Sequence, residues 1–233
     1  MIVGQFDKAA VQKSLEELFG NWKTKSPYAR ILNPYRKVEA INRKIETPDK
    51  QNAMLVAGGI SKMGDDDADY PAMILADYML GGPTSSRLFR RIREKEGLSY
   101  AVQSAFQVPT KDDGATFMAI AVANPANAPK VEASFNDELA KTLKDGFTAD
   151  EVSAAKAAWL QERQVQRSQD QALAGVLMSR ERFGRTLEFD KALETQVASL
   201  TPEQVSAAFR KHIDQAGVSL VKAGDFKKAS VYQ

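Results

Sequence analysis

The chain has 233 residues, no cysteine and a single histidine, with Lys+Arg 32 against Asp+Glu 30. That inventory excludes a thiol site, a disulfide framework and a zinc centre of the usual His- or Cys-rich kind built from this chain alone. A net charge of only +2, with the two signs interleaved, argues against nucleic acid as a partner. No stretch approaches the roughly 20 apolar residues of a membrane helix, so no membrane insertion is expected.

The opening MIVGQFDKAA lacks the basic start and long apolar run of a signal peptide. Met1–Gly4 reads as the end of a strand. A helix then carries Val11, Leu15, Leu18 and Phe19 at helical spacing and stops at Gly20. From Asn21 to Gln51 the periodicity collapses and Pro27, Pro34 and Pro48 punctuate a basic stretch, read as a linker with a short strand near Val38–Ile45. Ala53–Ile60 is a strand, Asp65–Asp67 an acidic loop, and Tyr70–Leu80 a helix stopped by Gly81-Gly82-Pro83. Thr84–Glu96 reads as a second helix burying Leu88, Phe89 and Ile92, with Gly97 at its C-terminus. Tyr100–Val108 and Ala115–Ala123 are strands. Helices follow over about 128–143, 149–167, 170–183, 188–199 and 201–213, and Val218–Ala223 is a last strand. Strands early and helices late predict an α+β domain, an antiparallel sheet covered on one face by helices.

The ends of the chain echo each other. GQFDKAAV at Gly4–Val11 aligns with GDFKKASV at Gly224–Val231, sharing glycine, phenylalanine, lysine, alanine and valine. Each copy follows a short apolar stretch. Residues 1–20 are therefore expected to be the terminal strand and helix of a sister domain. Residues 21–50 would then be linker and first strand, and 51–233 the main domain.

The densest motif is GGPTSSRLFRRIREKEGLSY, Gly81–Tyr100. Glycines before a hydroxyl-rich helix start could cradle a phosphate. The spacing matches neither G-x-x-x-x-G-K-[ST] nor G-x-G-x-x-G, however, and a capped turn accounts for it equally well.

With its flanks, LADYMLGGPTSSRLFRRIREKEGLSYAVQSAF, this segment resembles the C-terminal domain of pitrilysin/insulinase-type zinc peptidases, the family that includes the mitochondrial processing peptidase. The shared features are Leu80-Gly81-Gly82, Ser86-Arg87-Leu88-Phe89, Arg93-Glu94-Lys95-Glu96-Gly97-Leu98 and Tyr100. The likeness continues through Asp69-Tyr70-Pro71, Asn124-Pro125, Gly146–Glu151, Leu200–Gln204 and Gly224-Asp225-Phe226. The resemblance implies two homologous halves, one of them carrying H-x-x-E-H and a further glutamate as zinc ligands. This chain has no such motif, and its one histidine, His212, is expected at a surface or helix end. No cofactor is therefore expected in this chain. Zinc belongs to a homologous half, upstream in the same polypeptide or on a separate subunit.

In the family the half without zinc supplies an arginine and a tyrosine to the active site, seven positions apart. Arg93 and Tyr100 match that pattern, and the resemblance implies that they bind peptide substrate. Strand parity complicates this, because it groups Tyr100 with Val102, Phe106 and Val108 on a core-facing side. A strand start or a bulge would free the ring. The expected function is the non-zinc half of a zinc metalloendopeptidase, inactive alone. The competing reading is a non-catalytic structural or assembly subunit of the same fold. The compartment stays open, and a periplasmic location would require a signal peptide on the full-length protein.

Overall fold

The computed structural model describes residues 1–231. Five strands, β1 (Asn42–Glu46), β2 (Ala53–Lys62), β3 (Ser99–Gln107), β4 (Gly114–Ala123) and β5 (Ser219–Gly224), form one sheet in the order β1-β5-β2-β4-β3. The pairs β5–β2, β2–β4 and β4–β3 are antiparallel, as the sequence predicts. The edge pair β1–β5 is parallel, with Asn42 opposite Leu220. A parallel pair needs a long crossover, and here the rest of the domain supplies it.

Alternation on the strands decides which face is covered. Ala53, Leu55 and Ala57 of β2 and Ala115, Phe117, Ala119, Ala121 and Ala123 of β4 are all buried. The many alanines let helices approach the sheet closely. Against it lies α2 (Tyr70–Gly81), which is apolar nearly all round and contributes Met73, Leu75, Ala76 and Leu80 to the core. Around α2 pack α4 (Ala149–Arg167), α6 (Leu187–Ser199) and α7 (Pro202–His212), while α3 (Ala128–Asp145) crosses β2 and β4. Helix α5 (Asp170–Arg182) touches α4 and buries no residue. A short α8 (Phe226–Val231) closes the chain.

The opposite face of the sheet is left open. The pairing puts Ala101, Val122, Met54, Ala223 and Ile45 in one row across all five strands. The next row holds Gln103, Ile120, Val56, Val221 and Arg43. None of these residues is buried, and Met54 and Ile45 are nearly half exposed.

Two expectations need correction. Met1–Gly4 forms no strand, and no strand among the described residues pairs with it. The helix expected over Thr84–Glu96 starts only at Arg87, and Phe89–Lys95 is wound as a π-helix. Helix α1 (Lys8–Phe19) forms as predicted, capped by Asp7 and ended at Gly20, yet buries nothing: Leu15, Leu18 and Phe19 are about half exposed or more. No helix among the described residues is long and apolar enough to cross a membrane.

Candidate functional site

Gly81 opens the site region because nothing larger fits there: a Cβ would lie 2.6 Å from the Ser104 amide of β3. One turn earlier, Asp77 fastens the same helix to the same strand. Its carboxylate accepts from Ser104 Oγ at 2.6 Å and from Phe106 N at 3.0 Å. Burial pushes the Asp77 carboxyl up to about 6, against the lowering effect of those two hydrogen bonds.

After the Pro83–Ser86 turn the chain enters the helix at Arg87, which is thoroughly tied. Its guanidinium pairs bidentately with Glu151 at 2.7 and 2.8 Å and donates to the Gly146 carbonyl and to Thr142 Oγ1. It also stacks over Phe147 at 4.8 Å. Glu151 in turn completes a capping box with Thr148 at the start of α4. Burial would raise the Glu151 carboxyl, but Arg87 and the Thr148 amide bring it down to about 2. Leu88 and Ile92 are fully buried beneath this corner.

One turn on, Arg93 is different. Its side chain is exposed and sits over the Phe89 ring at 5.5 Å, with no carboxylate on it among the described residues. The aromatic ring orients the cation without neutralising it. The π-helix ends in wide turns, Glu96 N to Arg91 O and Leu98 N to Ile92 O, and Gly97 takes φ +63 to reverse the chain into β3.

Tyr100 follows at a β-bulge. Ser99 pairs with Ala123 and Ala101 with Val122, so Tyr100 is the extra residue that no partner opposes. The Ser99 hydroxyl lies 2.6 Å from Ala101 O and 2.7 Å from Val122 O, bridging the irregular step. Parity is broken there: Val102 is buried while Tyr100 is 59 % exposed. The structure thus places Arg93 and Tyr100 on either side of one helix-to-strand reversal, both exposed and both without a hydrogen-bonding partner among the described residues.

His212 does end α7, but it is not a surface residue. Its side chain is 5 % exposed, with Nδ1 3.1 Å from Ser61 Oγ and Nε2 3.0 Å from Asp69 Oδ2. Asp67, Asp69 and His212 bring three ligand-type atoms within 4.8 Å of one another. They do not fit a zinc ion, because the Lys211 ammonium is already 2.5 Å from that same Asp69 oxygen. The group is a clasp between β2, α2 and α7.

The peptidase M16 inactive-domain model matches residues 1–158. Among curated proteins, an uncharacterised zinc protease of Streptomyces coelicolor is 32% identical over 186 residues, 78% of this chain and 38% of its own length. One from Bacillus subtilis is 30% identical over 145 residues, 62% of this chain and 34% of its own. This chain thus spans little more than a third of those relatives. Of solved structures, a peptidase M16 inactive domain from Pseudomonas fluorescens superposes with TM-score 0.75 at 28% identity, covering 86% of this chain and 47% of that one. A Helicobacter pylori protease shares the fold at TM-score 0.79 and 18% identity, over 95% of this chain and 54% of that one. The matched model covers more than half of the chain, and the chain belongs to the peptidase M16 inactive-domain family.

Proposed function

We propose that this domain is the non-zinc half of a two-half metallopeptidase, closing over an extended peptide that the homologous half hydrolyses. The observation that carries the reading is the bulge that turns Tyr100 out to solvent at the strand end of a reversal whose helix end carries an unneutralised Arg93. A cation and a phenol with no hydrogen-bond acceptor on them among the described residues are suited to receive a peptide carbonyl, and such preplaced donors stabilise a developing oxyanion by roughly 3–4 kcal/mol each. The mostly apolar rows of the open sheet face, broken by Gln103 and Arg43 toward its two edges, offer surface of the kind an enclosed chain would meet. Zinc, supplied by the other half, would provide the Lewis acid. This chain alone is expected not to hydrolyse peptides.

The test uses the complete two-half protein. Arg93→Ala and Tyr100→Phe should each lower kcat/KM by about ten- to a thousandfold with zinc content unchanged. Near-wild-type turnover in both variants would remove the site and leave a structural subunit as the better reading.

We also read residues 1–20 as the end of the sister domain, supported by a capped helix whose apolar side chains cover nothing here. In the chain alone, amides of Val11–Phe19 should exchange with solvent faster than those of Leu55–Ile60. Equal protection in a dilute monomer would contradict this assignment.

A further inference from the structure

At the end of the sheet remote from Tyr100, strand β2 outruns one of its neighbours. Its ladder with β4 continues to Lys62 opposite Gly114, but its ladder with β5 stops at Gly58 opposite Ser219. The direction of the free groups follows from alternation. Leu220 N donates to Ile41 O on the β1 side, so Ser219 and Val221 face β2, and their partners Gly58 and Val56 face back. Two residues further, the N–H and C=O of Ile60, and then of Lys62, point into the space where β5 has not begun. No backbone hydrogen bond outside the strand ladders satisfies them among the described residues.

That space is a cavity of about 630 Å³, within the usual range for ligand sites. The end of α7, the loop before β5 and the extended segment at Tyr35–Val38 complete its walls. Its charge is one-sided: Lys37, Lys62 and Lys211 line it against Asp214 alone. Lys37 has no ion pair among the described residues, and Lys62 reaches Asp113 only at 3.8 Å with both side chains well exposed. Lys211 is paired to Asp69, and Asp214 is partly occupied by the Ala216 amide. His212 and Ser61, bonded to each other, add a polar wall.

We propose that this gap binds an acidic, extended peptide segment, which adds a short strand beside Ile60 and Lys62 and sets a carboxylate among the three lysines. Main-chain pairing supplies the affinity and the lysines supply the preference. Seven residues of strand separate the Tyr100 end of β3 from this level, about 24 Å at ~3.4 Å per residue. The site therefore stands apart from Arg93 and Tyr100, and its existence does not depend on their role.

The chain's single histidine makes the test site-specific, since every imidazole resonance comes from one residue in the cavity wall. The 233-residue protein is titrated with acetylated, amidated Glu-Val-Glu-Val, with Lys-Val-Lys-Val, and with the acidic peptide N-methylated along its backbone. The acidic peptide should bind saturably and move the His212 ring together with the Ile60 and Lys62 amides. Affinity should fall at least tenfold for the basic and the N-methylated peptides. It should fall equally for the acidic peptide on the Lys37→Glu, Lys62→Glu double variant. Should that variant not fold, the three peptides on the wild-type chain decide alone. No saturable binding of the acidic peptide up to millimolar concentration overturns the proposal. So does equal affinity for either control peptide.

Discussion

The stretch from Ser86 to Tyr100 begins and ends in opposite states. At its start Arg87 is tied to Glu151, Gly146, Thr142 and Phe147, and every contact fixes the helix to the α3–α4 corner. At its end Arg93 and Tyr100 touch solvent, and apart from the Phe89 ring under Arg93 neither side chain has a hydrogen-bonding or ion-pair partner among the described residues. Two arginines on one short helix thus differ: Arg87 is spent on packing and Arg93 is not. Residues that build a site are recognisable by how much they contact, and residues that could act in one by how little.

The contrast can be broken most forcefully at Arg87. Arg87→Ala strands a partly buried Glu151 and the Gly146 carbonyl, and should cost about 3 kcal/mol of folding stability, read as a lowered urea midpoint. A loss below ~1 kcal/mol would mean the corner holds without it.

Asp77 comes next, with a signature in pH. Its folded pKa of about 6 lies above the unfolded value of 3.8. The fold therefore binds this proton more tightly, and the contribution is fully present below about pH 3.8 and lost as pH rises through 6. At about 1.4 kcal/mol per pKa unit, the change between pH 7 and pH 4 is about 2–3 kcal/mol. Glu151, held at about 2, acts oppositely but only below pH 4.5, so the window above it isolates Asp77. Asp77→Asn should flatten the pH dependence of stability between pH 4.5 and 7, and an unchanged slope would place its origin elsewhere.

The smallest effect is expected at the free end. Arg93→Ala and Tyr100→Phe should each change stability by less than ~0.5 kcal/mol, the usual range for exposed positions. A Tm drop matching that of Arg87→Ala would show that they too are structural.

Much of this was legible in the sequence, and the reason varies by residue. Helix starts were readable because their chemistry is local: Thr148 with Glu151 and Thr201 with Gln204 both form capping boxes. Most of the segments carrying the family resemblance prove to be such fixtures, including Asn124 capping Ala126 and Asp225 accepting from Asp49 and Lys228. Tyr100 was harder, because strict alternation places it inward and the bulge depends on how β3 meets β4. The π-helix was invisible to a periodicity argument that assumes 3.6 residues per turn. Val11, Leu15 and Leu18 announced a helix truthfully but not what it lies against, since pattern records an apolar face and not its occupant. His212 ends α7, one of the two places expected for it, but its burial is not legible in the sequence because its partners, Ser61 and Asp69, are far away along the chain.

The position of β5 has a consequence for how the domain comes into being. It is the last strand made, yet it lies between β1 and β2, and the contact at Ile41–Ser219 spans 178 residues of sequence. At about 5–20 residues per second, β1 would wait roughly 10–35 seconds of synthesis for the one strand it pairs with among the described residues. If strands pair as they are made, β2 presents a bare edge until then, with only β4 and β3 beside it. Completion is by insertion of a strand into a slot and not by growth at a margin, a non-local step that predicts slow, high-contact-order folding.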